Sequence, residues 1–260
     1  MSKVISLIGV ILVYAFLFLP MVVLVSLSFN SAPRGVIWQG FTTDWYTKLF
    51  DDVAILEALS NSLEIAFAAT ITSAVFGLAV GLAMTRGPVR GRFVLQKMAS
   101  LPIFLPEIVQ GLSLLCFFVW LSIPLGKLSV IIAHTAFGTA YVATLVRSRL
   151  VAMDSMLEEA ASDLGAGRWT ILLKITLPQL WPAMVSGMLM VFTLSFDDFI
   201  VSFFTAGVGA TTLPLKIYSM LKFGVSPSVN ALSALILCAS LVLVTLAFWN
   251  QNRKNAGASS

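Results

Sequence analysis

Six long apolar runs, each almost free of charge, decide what this chain of 260 residues can become. A helix needs about 20 mostly apolar residues to cross about 30 Å of hydrocarbon. The segments at roughly 4–29, 61–84, 98–121, 125–146, 178–204 and 230–250 meet that requirement. They predict an all-α, polytopic membrane protein with six transmembrane helices. Composition agrees: 58% of the residues are apolar and 11% charged, where a soluble protein carries about 25% charged residues. The first run begins just after Lys3 and has no small-residue cleavage site. It is too long for the core of a secretory signal and is expected to remain as a helix.

Basic residues flanking spans are retained on the cytoplasmic side. With both termini inside, the cytoplasmic set is Lys3, Arg86, Arg90, Arg92, Lys97, Arg147, Arg149, Arg168, Lys174, Arg253 and Lys254. The outer set is Arg34, Lys48, Lys127, Lys216 and Lys222, which completes the 16 Lys and Arg of the chain. This asymmetry places both termini in the cytoplasm. It also accounts for the net charge of +4 without a nucleic-acid partner. Cys116 and Cys238 fall inside apolar runs, where Cys is expected to act as a small buried hydrophobe, and their spacing suits neither a disulfide framework nor a metal site.

No polar linker divides the chain, so a single transmembrane domain over 1–260 is expected, with disorder confined to the NAGASS tail. Two connections are long, and loops of such length are usually functional. The outer one, between the first two spans, carries Trp38, Phe41, Trp45 and Tyr46 among Asp44, Asp51, Asp52 and Glu57, with a helical pattern from about Asp44. Its aromatic residues suit interfacial anchoring, or contact with a docked partner or an entering cation.

Three acids lie well inside apolar runs, away from the outer end where Glu64 sits; there a charge costs about 2.5–3.5 kcal/mol to insert and marks a pathway by default. Glu107 follows Pro102 and Pro106, which remove backbone donors and predict a kinked or interrupted third helix whose freed carbonyls must face protein or a wet cavity. Asp197 and Asp198 lie in the fifth run. Carboxylates and carbonyls together favour a cation such as a flexible polyammonium compound; the alternative is structural acids in interhelical pairs. Adjacent residues point about 100° apart on a helix, so Asp198 is open to a structural role beside Asp197. Glu64 and the solitary His134 read as packing or snorkelling residues.

The cytoplasmic connection, about 147–178, reads RSRLVAMDSMLEEAASDLGAGRWTILLKITLP. Met156, Ala160, Ala161 and Leu164 recur at helical spacing and predict a helix lying along a surface. Gly165 and Gly167 permit a sharp turn, and a second short helix is expected to end at Pro178. The loop matches the pattern E-A-A, three residues, G, nine residues, I-x-L-P at Glu159, Ala160, Ala161, Gly165, Ile175, Leu177 and Pro178. It resembles the permeases of ABC importers. In that family this segment is the coupling helix, which sits in a cleft of a separate ATPase. No G-x-x-x-x-G-K-[ST] phosphate loop occurs in the sequence, so ATP binding is expected in trans.

Beyond the loop, WQGFTTDWY, AHTAFGTAYVATLVRSRL, LSFDDFIVSFF and LPLKIYSMLKFGVSPSVNAL are similar to spermidine/putrescine permease subunits of the PotC type. The resemblance implies a type I importer transmembrane domain that conducts polyamines and is not itself an enzyme. By matching segments it implies a substrate pathway through Trp45, with its neighbour Tyr46, and Glu107. The family commonly has Asp at position 107. The implied partners are a PotB-like second permease, two PotA-like ATPases that use ATP and Mg, and a periplasmic PotD-like binding protein, with no cofactor on this chain. Other readings compatible with the residues are an importer of another cationic solute, such as thiamine, ferric ion or an amino-acid derivative, and a proton-coupled secondary carrier.

Overall fold

A computed structural model describes residues 2–32, 37–86, 91–222 and 227–257. Arg34 and Arg90 of the flanking charges, and the last three residues of the tail, lie outside them. The elements are α1 (Ser2–Leu27), α2 (Asp44–Asp51), α3 (Val53–Thr85), α4 (Arg92–Phe104), α5 (Glu107–Trp120), α6 (Lys127–Ala152), α7 (Met156–Asp163), α8 (Arg168–Ile171), a π-turn (Leu172–Thr176), α9 (Leu177–Asp197), α10 (Ile200–Thr205), α11 (Leu213–Lys222) and α12 (Pro227–Gly257). An isolated bridge between Asn30 and Phe41 is the extended pairing found among the described residues.

Every expected apolar run falls on a helix, with differences that matter. Among the described residues, four unbroken helical stretches are long and apolar enough to span: Ser6–Leu27, Val53–Thr85, Lys127–Ala152 and Arg168–Asp197. The third expected span is a pair, α4 and α5, bent by 112°, and counts as a fifth span if the two are taken together. The sixth run lies within α12, a continuous helix of 31 residues. The fifth run is not one helix to residue 204. α9 stops at Asp197, Asp198 is extended (φ −66°, ψ 124°), and α10 starts at Ile200.

Pro178 ends no helix. α8, the π-turn and α9 form one continuous rod, because the wider turn lets the Leu177 amide reach the Leu172 carbonyl. This makes room for a proline that can neither donate a hydrogen bond nor approach the carbonyl four residues back. The two cysteines also depart from expectation: Cys116 and Cys238 are exposed on α5 and α12.

The chain divides into two compact units, one formed by residues up to Leu56 and from Lys216, the other by Glu57–Leu215. In the first, α12 packs against α1 and α2. The chain leaving α1 is held by the buried Asn30, which donates to the Ile37 carbonyl at 2.8 Å and accepts from the Gln39 amide at 2.9 Å. In the second, α6 packs against α4, α9 and α10, with Val142, Val146, Leu150, Leu180, Met184 and Val191 as its core. Gly77 lets α3 approach α6 closely, since a Cβ there would lie 2.5 Å from that of Val142. Thr72 and Thr135 add a hydroxyl pair at 2.6 Å across the same contact.

Candidate functional site

A cavity of about 240 Å³ opens in the second unit where its two broken helices come together. Pro106 builds the first break. Its ring disfavours the helical region at Leu105, and Leu105 and Pro106 are extended (ψ 137° and 136°), with α5 restarting at Glu107. Pro106 also has no amide to offer the Pro102 carbonyl. Gln110 supplies the missing donor: its Nε2 reaches Pro102 O and Leu105 O, each at 2.9 Å. Its backbone amide bonds the Pro106 carbonyl at 3.1 Å. Sequence reasoning missed Gln110, although an amide side chain four residues after a proline was a visible signal.

The second break lies between α9 and α10. Asp198 caps α10, accepting from the Ser202 amide at 2.6 Å and the Val201 amide at 3.3 Å. Its Oδ2 also lies 3.2 Å from His134 Nε2 on α6. The His134 ring is fully buried and meets Ser195 Oγ at 2.6 Å and Ser202 Oγ at 3.2 Å. An ionised Asp198 can only accept, which places a hydrogen on Nε2. His134, read from sequence as a packing residue, therefore joins α6, α9 and α10, and Asp198 serves the break itself.

Glu107, Asp197 and Asp198 line this one cavity together with Gln110, Phe137, Tyr141 and Thr193. Glu107 and Asp197 are exposed to it. Among the described residues neither carboxylate has a hydrogen-bonding or ionic partner, and no Lys or Arg lines the cavity. Two uncompensated acids beside aromatic rings form a pocket of negative potential suited to an organic cation. The Glu107 charge also sits on the first turn of α5, where the helix dipole favours an anion.

Trp45 and Tyr46 belong to the other unit, so the cavity is built without them. Trp45 Nε1 donates to the Asn30 carbonyl at 2.8 Å, and the Tyr46 hydroxyl meets Ser28 Oγ at 2.7 Å. Lys48 Nζ stands 4.4 Å from the centroid of the Trp45 ring. Both aromatic residues thus pin α2 to the segment leaving α1. Glu64 pairs with Lys127 at 2.7 Å.

In the loop between α6 and α9, Glu159, Ala160 and Ala161 lie on α7 as the pattern requires. Gly165 closes the helix with φ +81°, a conformation that favours glycine. Its amide bonds Ser162 O at 2.9 Å and the next amide bonds Ala161 O at 2.9 Å. Gly167 has an ordinary φ of −68°, so the turn does not demand glycine there. Ile175 lies in the π-turn, and Leu177 and Pro178 open α9. Met156, Leu157, Leu164 and Trp169 project into the surroundings, Leu164 at 89% exposure. Met156 and Leu157 lie on α7, Leu164 just past its end and Trp169 on α8.

Residues 73–255 match the family model described as "Binding-protein-dependent transport system inner membrane component". The chain belongs to this family. The permease is 42% identical over 90% of its length to the spermidine/putrescine transport system permease protein PotC of Haemophilus influenzae, of which the match covers 91%. It is 43% identical to PotC of Escherichia coli K12, with 89% of this chain and 88% of that one covered. The putrescine transport system permease protein PotI of the same organism is 40% identical, covering 91% and 86%. Among solved structures, a bacterial ABC transporter involved in import of the acidic polysaccharide alginate contains a chain that superposes with a TM-score of 0.74 at 16% identity, covering 95% of the permease and 96% of that chain. A chain of the MetNI methionine ABC transporter gives 0.62 at 21%, covering 76% and 93%. The permease therefore has the fold of an ABC importer transmembrane subunit.

Proposed function

We propose that the permease forms half of the translocation pathway of an ATP-driven importer of polyamines such as spermidine and putrescine. The observation that carries this reading is the cavity in which Glu107 and Asp197 present unpartnered carboxylates and no basic side chain intrudes. A polyamine offers ammonium groups to the acids and an apolar stem to Phe137 and Tyr141. The names of its PotC and PotI relatives support the same substrate class.

The complete importer pairs this subunit with a PotB-like permease, two PotA-like ATPases that bind ATP with Mg²⁺, and a PotD-like periplasmic binding protein. Both termini lie in the cytoplasm, as the distribution of Lys and Arg favours. On that side α7 seats in the ATPase through Glu159, Ala160 and Ala161. Its displacement rocks the helices about the cavity, and the substrate is exposed to one face of the membrane and then the other.

Uptake of radiolabelled spermidine and putrescine into vesicles holding the complex tests this, with ATP, binding protein and this subunit each withheld in turn. ATP-dependent accumulation that disappears without this chain is expected. A complex that hydrolyses ATP and moves neither amine overturns the substrate.

A further inference from the structure

Glu158 lies outside the E-A-A pattern, yet it is the residue of α7 most firmly engaged with the rest of the second unit. It sits on the first turn of the helix, with its side chain 17% exposed. Its two carboxylate oxygens go to two different elements. Oε2 accepts from Arg86 Nη1, immediately after the last residue of α3. Oε1 accepts from Thr176 Oγ1 at 2.6 Å, at the last position of the π-turn that leads into α9. Thr176 is itself buried, at 2% exposure.

The surroundings explain why a carboxylate is used. α7 has eight residues and none of them is buried, so apolar packing cannot fix its orientation against the unit. The other acid of its first turn, Glu159, is engaged locally by Ser155 Oγ at 2.7 Å. Charge-assisted bonds to two partners are directional and about twice as strong as neutral ones. The end of α3 is braced in turn, since Arg92 Nε on α4 donates to the Met84 carbonyl. A cavity of about 570 Å³, bordered by Leu82, Arg86, Ser162 and Ile171, separates α7 from the rod beside this link. The side-chain bridge thus crosses a region where close packing is absent.

We propose that Glu158 is a positioning residue, the joint by which displacement of α7 is handed to α3 through Arg86 and to the α8–α9 rod through Thr176 together. α3 packs on α6 through Gly77 and Gly81, and α9 carries Asp197 at its far end. One carboxylate on α7 therefore addresses both the wall around the cavity and a helix that lines it. This inference rests on the reading that α7 is the helix seated in the ATPase.

The test uses the complete reconstituted importer and reads amine accumulated per ATP hydrolysed. Arg86→Glu and Glu158→Arg each lower that ratio by about tenfold, in the range for neighbours coupled within one network, while ATP hydrolysis persists. The double exchange restores most of it, since an Arg at 158 can donate both to a Glu at 86 and to the Thr176 hydroxyl. Thr176→Val removes the second bond alone and lowers the ratio by a few-fold; it decides the matter if a charge reversal prevents insertion. Wild-type ratios in the single variants, or a double exchange no better than its parents, overturn the proposal. Retention of the ATPase by Ala161→Trp is scored separately. A complex that keeps its ATPase despite that bulk contradicts the seating of α7, whatever the Glu158 variants show.

Discussion

His134 Nε2 stands 3.2 Å from Asp198 Oδ2, and this pair holds the break between α9 and α10 against α6. The single histidine of the chain is fully buried there, with Ser195 and Ser202 completing its contacts. Removing it strips the buried Ser195 hydroxyl of its partner, at about 1–3 kcal/mol for a buried group left unsatisfied, and leaves Asp198 with its bonds to α10 alone. His134→Ala is therefore expected to lower the thermal unfolding temperature of the detergent-purified complex. His134→Gln, which keeps a donor, should lower it less. Unchanged unfolding in His134→Ala would remove the pair from the structural account.

Gln110 replaces the backbone donor that Pro106 lacks, through bonds to Pro102 O and Leu105 O. Gln110→Leu keeps the volume and strips both bonds, so the 112° angle between α4 and α5 loses its internal tie. Uptake should fall several-fold, and protease cleavage near residue 105 should accelerate, as about 1 kcal/mol per net hydrogen bond is lost. Glu at this position cannot donate when ionised and should behave like Leu.

Gly165 combines a φ of +81° with nothing within 4 Å of a Cβ built there, so conformation and not space demands the glycine. Gly165→Asn should retain most uptake, because Asn enters the left-handed region readily. Gly165→Val costs about 1–2 kcal/mol or more in the same geometry, which is expected to displace Leu164 and reduce ATP-coupled uptake while the protein still inserts. Equal activity of the two variants would refute this explanation of the turn.

These cases separate what was legible in the sequence from what was not. The broken third span followed from Pro102, Pro106 and Glu107, and the α7 turn from Glu159–Gly165, because each is decided within a few residues. The pairing of His134 with Asp198, and of Arg86 with Glu158, joins distant parts of the chain and needs the packing of α6 on α9 and the placement of α7 beneath α3. Pro178 misled for a related reason. A proline inside a helical pattern reads as a stop, and nothing local announces the π-turn that absorbs it. Trp45 and Tyr46 were legible as aromatic residues of the long connection after the first span, but their bonds to Asn30 and Ser28 depend on the chain folding back on the end of α1.

The Glu158 link also predicts a pH response of α7. Burial acts to raise the pKa of this carboxyl, but the hydrogen bonds from Arg86 and Thr176, with the Arg86 charge, outweigh it and hold the group below its ordinary value of 4.5. A depressed folded-state pKa contributes stability that is complete above pH 4.5 and is lost as the pH falls through the lowered value. A spin label at Asp163 should therefore gain mobility only well below pH 4.5. Glu158→Gln should show raised mobility throughout, with no transition of this origin.

The cavity acids carry the central claim. Glu107→Gln combined with Asp197→Asn removes both unpartnered charges and changes little volume, while His134, Asp198 and Gln110 keep the two helix breaks intact. The decisive measurement is ATP-driven uptake of spermidine and putrescine by vesicles holding this double variant, with subunit assembly and ATP hydrolysis recorded on the same preparation. The account predicts an assembled complex that hydrolyses ATP and accumulates neither amine above background. Uptake at the wild-type rate by the assembled variant would contradict it.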